Sequence, residues 1–206
     1  MRRVLAWTAL AAAAALILVL AQKHRDLSRA YIELRRRATL LHAGDVVPTF
    51  SASTLDGRRV TIGATTAPEA RQVLFILRTT CPYCRATLPV WERLADSLRR
   101  VTTPPIELYA ISLDSAESTR AYARLHHLSY PVLLFPEPKL ERLYRVGAVP
   151  QTVVLDNAGR VLYATTGLLD RSGVLDSVFQ AATAPRPRGR GAPLRPAAPV
   201  ARGRGG

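Results

Sequence analysis

The two cysteines of this sequence stand three positions apart, in the segment Thr79-Thr80-Cys81-Pro82-Tyr83-Cys84-Arg85. Two thiols at this spacing can form and release a disulfide bond between themselves, which makes them a candidate redox pair. The preceding run, Val73 to Leu77, is continuously apolar, as in a strand buried on both faces, and the residues that follow have helical spacing. The pair is therefore predicted to lie where a strand ends and a helix begins.

The helix start predicts different roles for the two thiols. Unpaired N–H groups and the positive end of the helix dipole favour a thiolate at Cys81, which is the predicted nucleophile. Cys84 follows one turn further on and is expected to be the more buried thiol, placed to resolve a mixed disulfide. Arg78 and Arg85 flank the pair and are candidates to stabilise the thiolate.

Other uses of two cysteines are less compatible with the composition. A structural zinc site needs four ligands, and the remaining nitrogen donors are four histidines, of which His126 and His127 are adjacent rather than at ligand spacing. A purely structural disulfide across so short a loop would constrain little of the unfolded chain. For the redox role we expect no metal ion and no organic cofactor.

Charge divides the chain into three parts. The 206 residues carry a net charge of +14, made up of +6 over residues 1–44, +2 over residues 45–183 and +6 over residues 184–206. The near-neutral middle part has the balance of an ordinary domain, so no specific nucleic-acid binding by the folded part is expected. The last part, residues 184–206, is rich in Pro, Arg and Gly and is predicted to be a disordered tail.

The N-terminal segment predicts a route out of the cytoplasm. Val4 to Ala21 form an uncharged run of 18 residues, which makes residues 1–22 a predicted transmembrane anchor or signal peptide. Residues 23–43 are predicted to form a basic helical stalk. The domain is thus expected in the periplasm or another extracytoplasmic space, membrane-anchored or secreted after cleavage. More positive charge follows the run than precedes it, so a cytoplasmic domain on the same anchor stays open as an alternative.

Residues 44–183 alternate between strand and helix patterns, which is typical of an α/β layered domain. Asp56-Gly57, between two short β-rich runs, predicts a hairpin, and Asp114 has the chemistry of a helix cap. Pro150 opens a strand that is predicted to pair as a hairpin with the next one. Leu168 to Ala182 is expected to close the domain as a helix.

The order of these parts resembles that of the membrane-anchored or periplasmic TlpA/ResA-like thioredoxins of bacteria. The resemblance covers about residues 44–183 and rests on Leu55-Asp56-Gly57-Arg58, Cys81-Pro82-Tyr83-Cys84, an inserted strand–helix unit and Val149-Pro150-Gln151-Thr152. It implies a thioredoxin-like fold, with a central mixed sheet flanked by helices. It also implies a thiol–disulfide oxidoreductase that acts on cell-envelope proteins. We expect it to reduce disulfides, but the motif itself leaves open whether it reduces or forms them. The implied partners are protein disulfides and thiols and a membrane protein that supplies thiol equivalents.

The same resemblance implies a substrate-binding role for the loop before the second hairpin. In the family the proline that matches Pro150 is cis and packs against the cysteines. The residue before it, here Val149, offers backbone groups to an extended substrate. Pro82 and Tyr83, between the thiols, are expected beside that substrate.

The sequence departs from the family at two positions. Thr80 stands where an aromatic residue is usual, and Phe75 stands where thioredoxins carry a buried acid in the central strand. Proton transfer to Cys84 therefore needs another group or water. Glu107 and Asp114 are both candidates, and the sequence alone does not choose between them.

One non-enzymatic alternative stays open. A Sco-like copper-delivery module would use the cysteine pair together with a histidine, which His126 or His127 would have to supply. Such a module has one more residue between its cysteines than this chain. A peroxiredoxin-type centre is not indicated, because Arg78 stands three positions before Cys81 where that type has Thr or Ser.

Overall fold

The computed structural model describes residues 2–169 and 173–185, so most of the predicted tail, from residue 186 on, lies outside the described residues. Helices and strands alternate along the chain after a long first helix, as the α/β prediction requires. The elements, in chain order, are α1 (Arg2–Thr39), β1 (Phe50–Ser53), β2 (Arg59–Ile62), β3 (Arg71–Leu77), α2 (Pro82–Arg99), β4 (Ile106–Ser112), α3 (Ala116–Leu125), β5 (Val132–Leu134), α4 (Pro138–Leu143), β6 (Gln151–Leu155), β7 (Val161–Thr166) and α5 (Val174–Thr183).

Five strands form the central sheet, in the order β5-β4-β3-β6-β7. β4 runs parallel to both β3 and β5, whereas β6 runs antiparallel to both β3 and β7. The sheet is therefore mixed, and the two predicted hairpins are present as β1 with β2 and β6 with β7. β3, which leads into the cysteine segment, occupies the central position.

The alternation of side chains along β3 builds a core on each face of the sheet, because successive side chains of a strand point to opposite faces. Val73, Phe75 and Leu77 belong to one buried cluster, together with apolar residues of α2 and α5. Leu74 and Ile76 belong to a second cluster, with residues of the β1–β2 hairpin and α4. Both faces are covered, which explains why the sequence of β3 is an uninterrupted apolar run.

The first helix, α1, is continuous from Arg2 to Thr39, so the predicted boundary between residues 1–22 and 23–43 is not a break in the helix. Neither Pro nor Gly occurs before Gly44, which removes the usual reasons for a helix to stop. Among the helices of the described residues, none combines the length and the apolar character needed to cross a bilayer.

The segment after α1 is fastened to the domain. Leu41 is buried in the second cluster, and the backbone N–H of Gly44 donates to the carbonyl of Val161 at 2.8 Å. Gly147, in the loop before β6, lies very close to the end of α1. A Cβ atom at Gly147 would stand 2.7 Å from the carbonyl oxygen of Thr39. The end of α1 and the loop before β6 are therefore in contact.

Two helix boundaries differ from the predictions. The N-cap of α3 is Ser115, because the carboxylate of Asp114, the predicted cap, bonds to Thr79 instead. The last helix, α5, begins at Val174 rather than at Leu168, which lies in a loop that lines a cleft beside the cysteines. The first difference arises from a contact between segments that are far apart in the sequence.

Candidate active site

The Cys81 residue caps the N-terminus of α2, at the predicted junction of strand and helix. Its sulfur accepts a hydrogen bond from the backbone N–H of Cys84 at 3.3 Å, and its carbonyl accepts the N–H of Arg85 at 3.2 Å. Pro82 suits the first helical position, because its φ is preset for a helix and it has no N–H to satisfy. The sulfur of Cys81, a residue that is half-buried, thus lies at the positive end of the helix.

The second thiol, Cys84, is fully buried one turn into α2. Burial raises the pKa of this thiol from 9.0 to about 12. The backbone N–H of Arg78 opposes this increase in pKa, whereas Cys81 and the charge of Asp114 add to it. Both cysteines are free thiols. The site therefore holds one accessible thiol and one buried thiol that stays protonated at neutral pH.

The loop before β6 meets Cys81 from the other side. The Val149–Pro150 peptide bond is cis, and the thiol of Cys81 lies 3.7 Å from the carbonyl oxygen of Val149. β6 pairs antiparallel with β3, with Gln151 opposite Ile76. This pairing brings the loop to the end of the strand that leads into the cysteines, although about 70 residues separate the two segments in the sequence.

A cleft of about 490 Å³ opens beside the pair. Its lining includes Tyr83, the loop from Ala148 to Pro150 and residues 165–168. The side chain of Tyr83 is 62% exposed and forms one wall. Of the predicted substrate-binding residues, Tyr83, Val149 and Pro150 thus share one cleft, whereas Pro82 is exposed at the helix start and is not among the lining residues.

A hydrogen-bonded network fixes the turn between β3 and Cys81. The carboxylate of Asp114 accepts the backbone N–H of Thr79 at 2.6 Å and the hydroxyl of Thr79 at 2.7 Å. The guanidinium of Arg78 donates to Asp114 at 3.3 Å and to Glu141, in α4, also at 3.3 Å. Arg78 is thus held by two carboxylates, whereas the sequence suggested it as a partner of the Cys81 thiolate.

Of the two predicted substitutes for the missing buried acid, only Asp114 lies at the site. Burial acts to raise the pKa of its carboxyl, but hydrogen bonds from Thr79 and the charge of Arg78 prevail and hold that pKa below its ordinary value. Glu107 lies near the opposite end of β4, where it accepts a side-chain N–H of Gln72 at 2.8 Å. The sequence did not distinguish the two acids, because the choice depends on which end of β4 faces the cysteines.

The residue in place of the buried acid, Phe75, stacks on Trp91 with ring centroids 4.7 Å apart. The indole N–H of Trp91 donates to the hydroxyl of Thr152 at 3.0 Å, and both side chains are buried. This bond links α2, which carries the cysteines, to β6, which follows the cis-proline loop. Nothing in the sequence indicated it, because the two residues belong to elements that meet only in the folded sheet.

Two side chains of the α3 region lie close to each other. The sequence did not indicate a role for Tyr122, and His126 was considered only as a metal ligand. The hydroxyl of Tyr122 is buried and has no hydrogen-bond partner among the described residues. Burial raises the pKa of Tyr122 to about 12, and the neighbouring Cys84 contributes in the same direction. The ring of His126, the C-cap of α3, contacts the ring of Tyr122 with centroids 4.4 Å apart.

The histidines considered for copper do not join a metal-binding group. In the part of the chain that the structure describes, no three or more His, Cys, Asp or Glu side chains are placed to hold a metal ion. His127 follows His126 with a φ of 49°, in the turn that ends α3.

The mixed sheet, the cysteine pair at the start of α2 and the cis-proline loop together define a protein of thioredoxin-like fold. The thioredoxin domain of a thiol-disulfide oxidoreductase from Bacteroides vulgatus matches with a TM-score of 0.57 and 15% sequence identity, over 69% of this chain and 99% of that domain. The sequence also assigns the protein to a family. The chain belongs to the AhpC/TSA family, whose model matches residues 43–164. The predicted thioredoxin-like fold and the resemblance to the TlpA/ResA-like thioredoxins are confirmed.

Two curated relatives share this region. The methylamine utilization protein MauD of Methylobacillus flagellatus is 27% identical over 137 residues, which are 66% of this chain and 62% of MauD. The thioredoxin-like protein YneN of Bacillus subtilis is 27% identical over 123 residues, which are 58% of this chain and 68% of YneN. The similarity thus spans less than two thirds of the length of MauD.

Proposed function

We propose that this protein is a thiol–disulfide oxidoreductase that reduces disulfide bonds of other proteins through Cys81 and Cys84. The proposal rests on the difference in burial between the two thiols. Cys81 is half-exposed at a helix N-terminus, 3.7 Å from the carbonyl oxygen of Val149, while Cys84 is buried one turn away. The similarity to the thiol-disulfide oxidoreductase from Bacteroides vulgatus supports the same chemistry.

The reaction proceeds in two exchanges. The thiolate of Cys81 attacks one sulfur of the substrate disulfide, forms a mixed disulfide and releases the other substrate sulfur, which takes a proton from water. Cys84 then loses its proton and attacks the sulfur of Cys81. The Cys81–Cys84 disulfide forms, the mixed disulfide breaks, and the second substrate sulfur leaves as a thiol. Two electrons pass from the pair to the substrate, and no step requires a metal ion or an organic cofactor.

The substrate is an extended segment of another protein that lies in the cleft beside the pair. Backbone groups of Val149 border this cleft, and a strand-like segment that pairs with them brings its disulfide over Cys81. Tyr83 and Pro150, which both line the cleft, then contact this segment.

The proposed direction, disulfide reduction, rests on the resemblance to the TlpA/ResA-like thioredoxins. A disulfide is a strong oxidant when the protein specially stabilises the thiolate of the reduced form, which in this pair is the thiolate of Cys81. For a reductase we expect a reduction potential nearer to the value of about −270 mV for thioredoxin than to the value of about −120 mV for strong oxidants.

The apolar run from Val4 to Ala21 supports an extracytoplasmic place of action, with electrons supplied by a membrane protein that passes thiol equivalents. A membrane-impermeant maleimide applied to intact cells tests this proposal. We expect Cys81 of the reduced full-length chain to be labelled, and Cys81→Ser to lose the label. Labelling that requires cell lysis would instead indicate a cytoplasmic domain.

The activity itself is tested by trapping the substrate and by measuring the potential. Cys84→Ser should accumulate mixed disulfides with substrate proteins, because the resolving thiol is missing, while the matched Cys81→Ser should accumulate none. Equilibration of the wild-type chain against dithiothreitol buffers gives the reduction potential. A pair that does not cycle, or equal trapping by both variants, would refute the proposed function.

A further inference from the structure

The long helix α1 carries a regular sequence repeat that the proposed thiol chemistry does not use. A leucine recurs at every seventh position, at Leu20, Leu27, Leu34 and Leu41. The position three residues before each leucine carries no Lys, Arg, Asp or Glu, and is Ile17, His24, Tyr31 and Ala38 in turn. Positions that alternate in this way, three and four residues apart, are the a and d positions of a two-stranded coiled coil. The sequence of α1 therefore has the pattern of a coiled-coil seam.

The charged residues of α1 agree with this assignment. Between Ala21 and Leu40 they are Lys23, Arg25, Asp26, Arg29, Glu33, Arg35, Arg36 and Arg37. None of them stands at an a or d position. In a parallel pair of such helices, the flanking e and g positions bring Lys23 of one copy opposite Ser28 of the other, and Ala30 opposite Arg35. Two like charges are therefore not opposed at these positions.

The domain does not cover the described part of this seam. The side chain of Leu27 is 72% exposed and that of Tyr31 is 64% exposed, and Ile17 and Leu20 are exposed as well. Leu41 is instead buried in the domain core, so the exposed seam ends before it. Single exposed leucines are ordinary on protein surfaces, but a row of them at fixed spacing indicates a contact with another molecule.

The width of the seam favours a second helix over a lipid surface. Near Leu20 the neighbouring residues are apolar on every side, so this part of α1 does not discriminate between the two. From residue 22 onward, the a and d positions form a strip of only two positions in seven. A strip this narrow fits another helix of the same period, whereas a helix that packs on a broad apolar surface shows a wider face. The same chain offers a helix of that period.

We propose that α1 pairs with α1 of a second copy of this chain, in a parallel and in-register coiled coil along Ile17, Leu20, Leu27 and Tyr31. This inference concerns assembly and does not rest on the proposed function. Each domain follows the C-terminal end of its own α1, so parallel pairing places both domains at the same end of the coil. The dimer thus presents two cysteine clefts at one end.

Sedimentation of the full-length protein in a mild detergent measures the association. We expect the wild type to be a dimer. In Leu27→Glu the dissociation constant should rise at least about tenfold, because two carboxylates would face each other in the seam. Ile32→Glu is the matched control, since Ile32 is also an exposed apolar residue, at 64%, but stands at an outer position of the repeat. Its dissociation constant should stay within about twofold of the wild-type value.

Disulfide trapping tests the direction and register of the pair. A Cys81→Ser/Cys84→Ser background leaves no native thiol, so a single cysteine can be introduced as Leu27→Cys or as Ile32→Cys and oxidised with diamide. Leu27→Cys should form a covalent dimer, because the d residues of a parallel, in-register pair face each other. Ile32→Cys should stay mainly monomeric on a non-reducing gel under the same conditions.

Several results would overturn the inference. These are a monomeric or trimeric wild type, equal weakening by Leu27→Glu and Ile32→Glu, and equal trapping of the two cysteine variants. If Leu27→Glu does not fold, the trapping result alone decides. The proposed function is judged separately, by the reaction of Cys81 with Ellman's reagent. The rate of this reaction in Leu27→Glu should equal that of the wild type, because Leu27 lies outside the cleft.

Discussion

Replacement of Thr152 by Val should lower the free energy of unfolding by about 1–3 kcal/mol. Thr152 is buried in β6, and its hydroxyl accepts the indole N–H of the fully buried Trp91 at 3.0 Å. Valine has nearly the same shape and suits a strand, so neither a cavity nor a change in strand propensity is expected. The loss of stability comes from the indole N–H of Trp91, which stays buried away from water but no longer has a hydrogen-bond acceptor.

Urea denaturation of the reduced full-length protein measures the loss, with an unchanged slope as the sign that compactness is preserved. Thr87→Val is the matched control. Thr87 is equally buried, but its hydroxyl donates to the carbonyl of Tyr83 within the same helix, so its removal leaves no donor unpaired. We expect this control to cost less than half as much as Thr152→Val.

A double-mutant cycle decides whether the hydrogen bond is the cause. In a Trp91→Phe background the donor is absent, so Thr152→Val should change the unfolding free energy by less than about 0.5 kcal/mol. If Thr152→Val costs the same with and without the indole, or costs less than about 0.5 kcal/mol in the wild type, the bond between α2 and β6 does not contribute as argued.

Two further predictions concern the loop before β6 and the buried thiol. Gly147→Ala would put a Cβ atom 2.7 Å from the carbonyl oxygen of Thr39. We therefore expect the free energy of unfolding to fall by about 1–3 kcal/mol and Cys81 to attack more slowly. Wild-type values for both quantities would contradict the close contact. Burial raises the pKa of Cys84 from 9.0 to about 12, so the native state binds this proton more tightly than the unfolded state. The contribution of Cys84 to stability is therefore complete below pH 9 and is lost as the pH rises toward 12. Urea midpoints of the reduced protein should fall more steeply from pH 8 to pH 10.5 than those of Cys84→Ala, and equal slopes would count against the raised pKa.

Features that depend on residues close together in the sequence were predictable. The apolar run before Cys81 predicted β3, because a strand covered on both faces has no polar side to show. Asp56-Gly57 predicted the first hairpin, and Gly57 has the positive φ, 88°, that such a turn uses. The spacing of Cys81 and Cys84 predicted one accessible and one buried thiol at a helix start, which is the arrangement that the structure shows.

Features that depend on pairing between distant segments were not predictable. Asp114 has the chemistry of a helix cap, yet its carboxylate accepts a hydrogen bond from Thr79. Parallel pairing of β3 and β4 places the segments that follow these two strands side by side. Arg78 was one candidate to act on Cys81, and the sequence did not indicate that it binds Asp114 and Glu141, the latter more than sixty positions further along the chain. Local patterns carry no information on which loop lies beside which.

The way α1 joins the domain affects how the cleft is presented to other molecules. Only Leu40 separates Thr39, the last residue of the helix, from Leu41, which is buried in the domain core. So short a connection leaves the helix little room to pivot. A helix of 38 residues is about 57 Å long, so a partner or surface that holds the start of α1 would keep the cleft beside Cys81 at a set distance and facing one direction. Disulfides within that reach would then be preferred over chemically equivalent ones elsewhere.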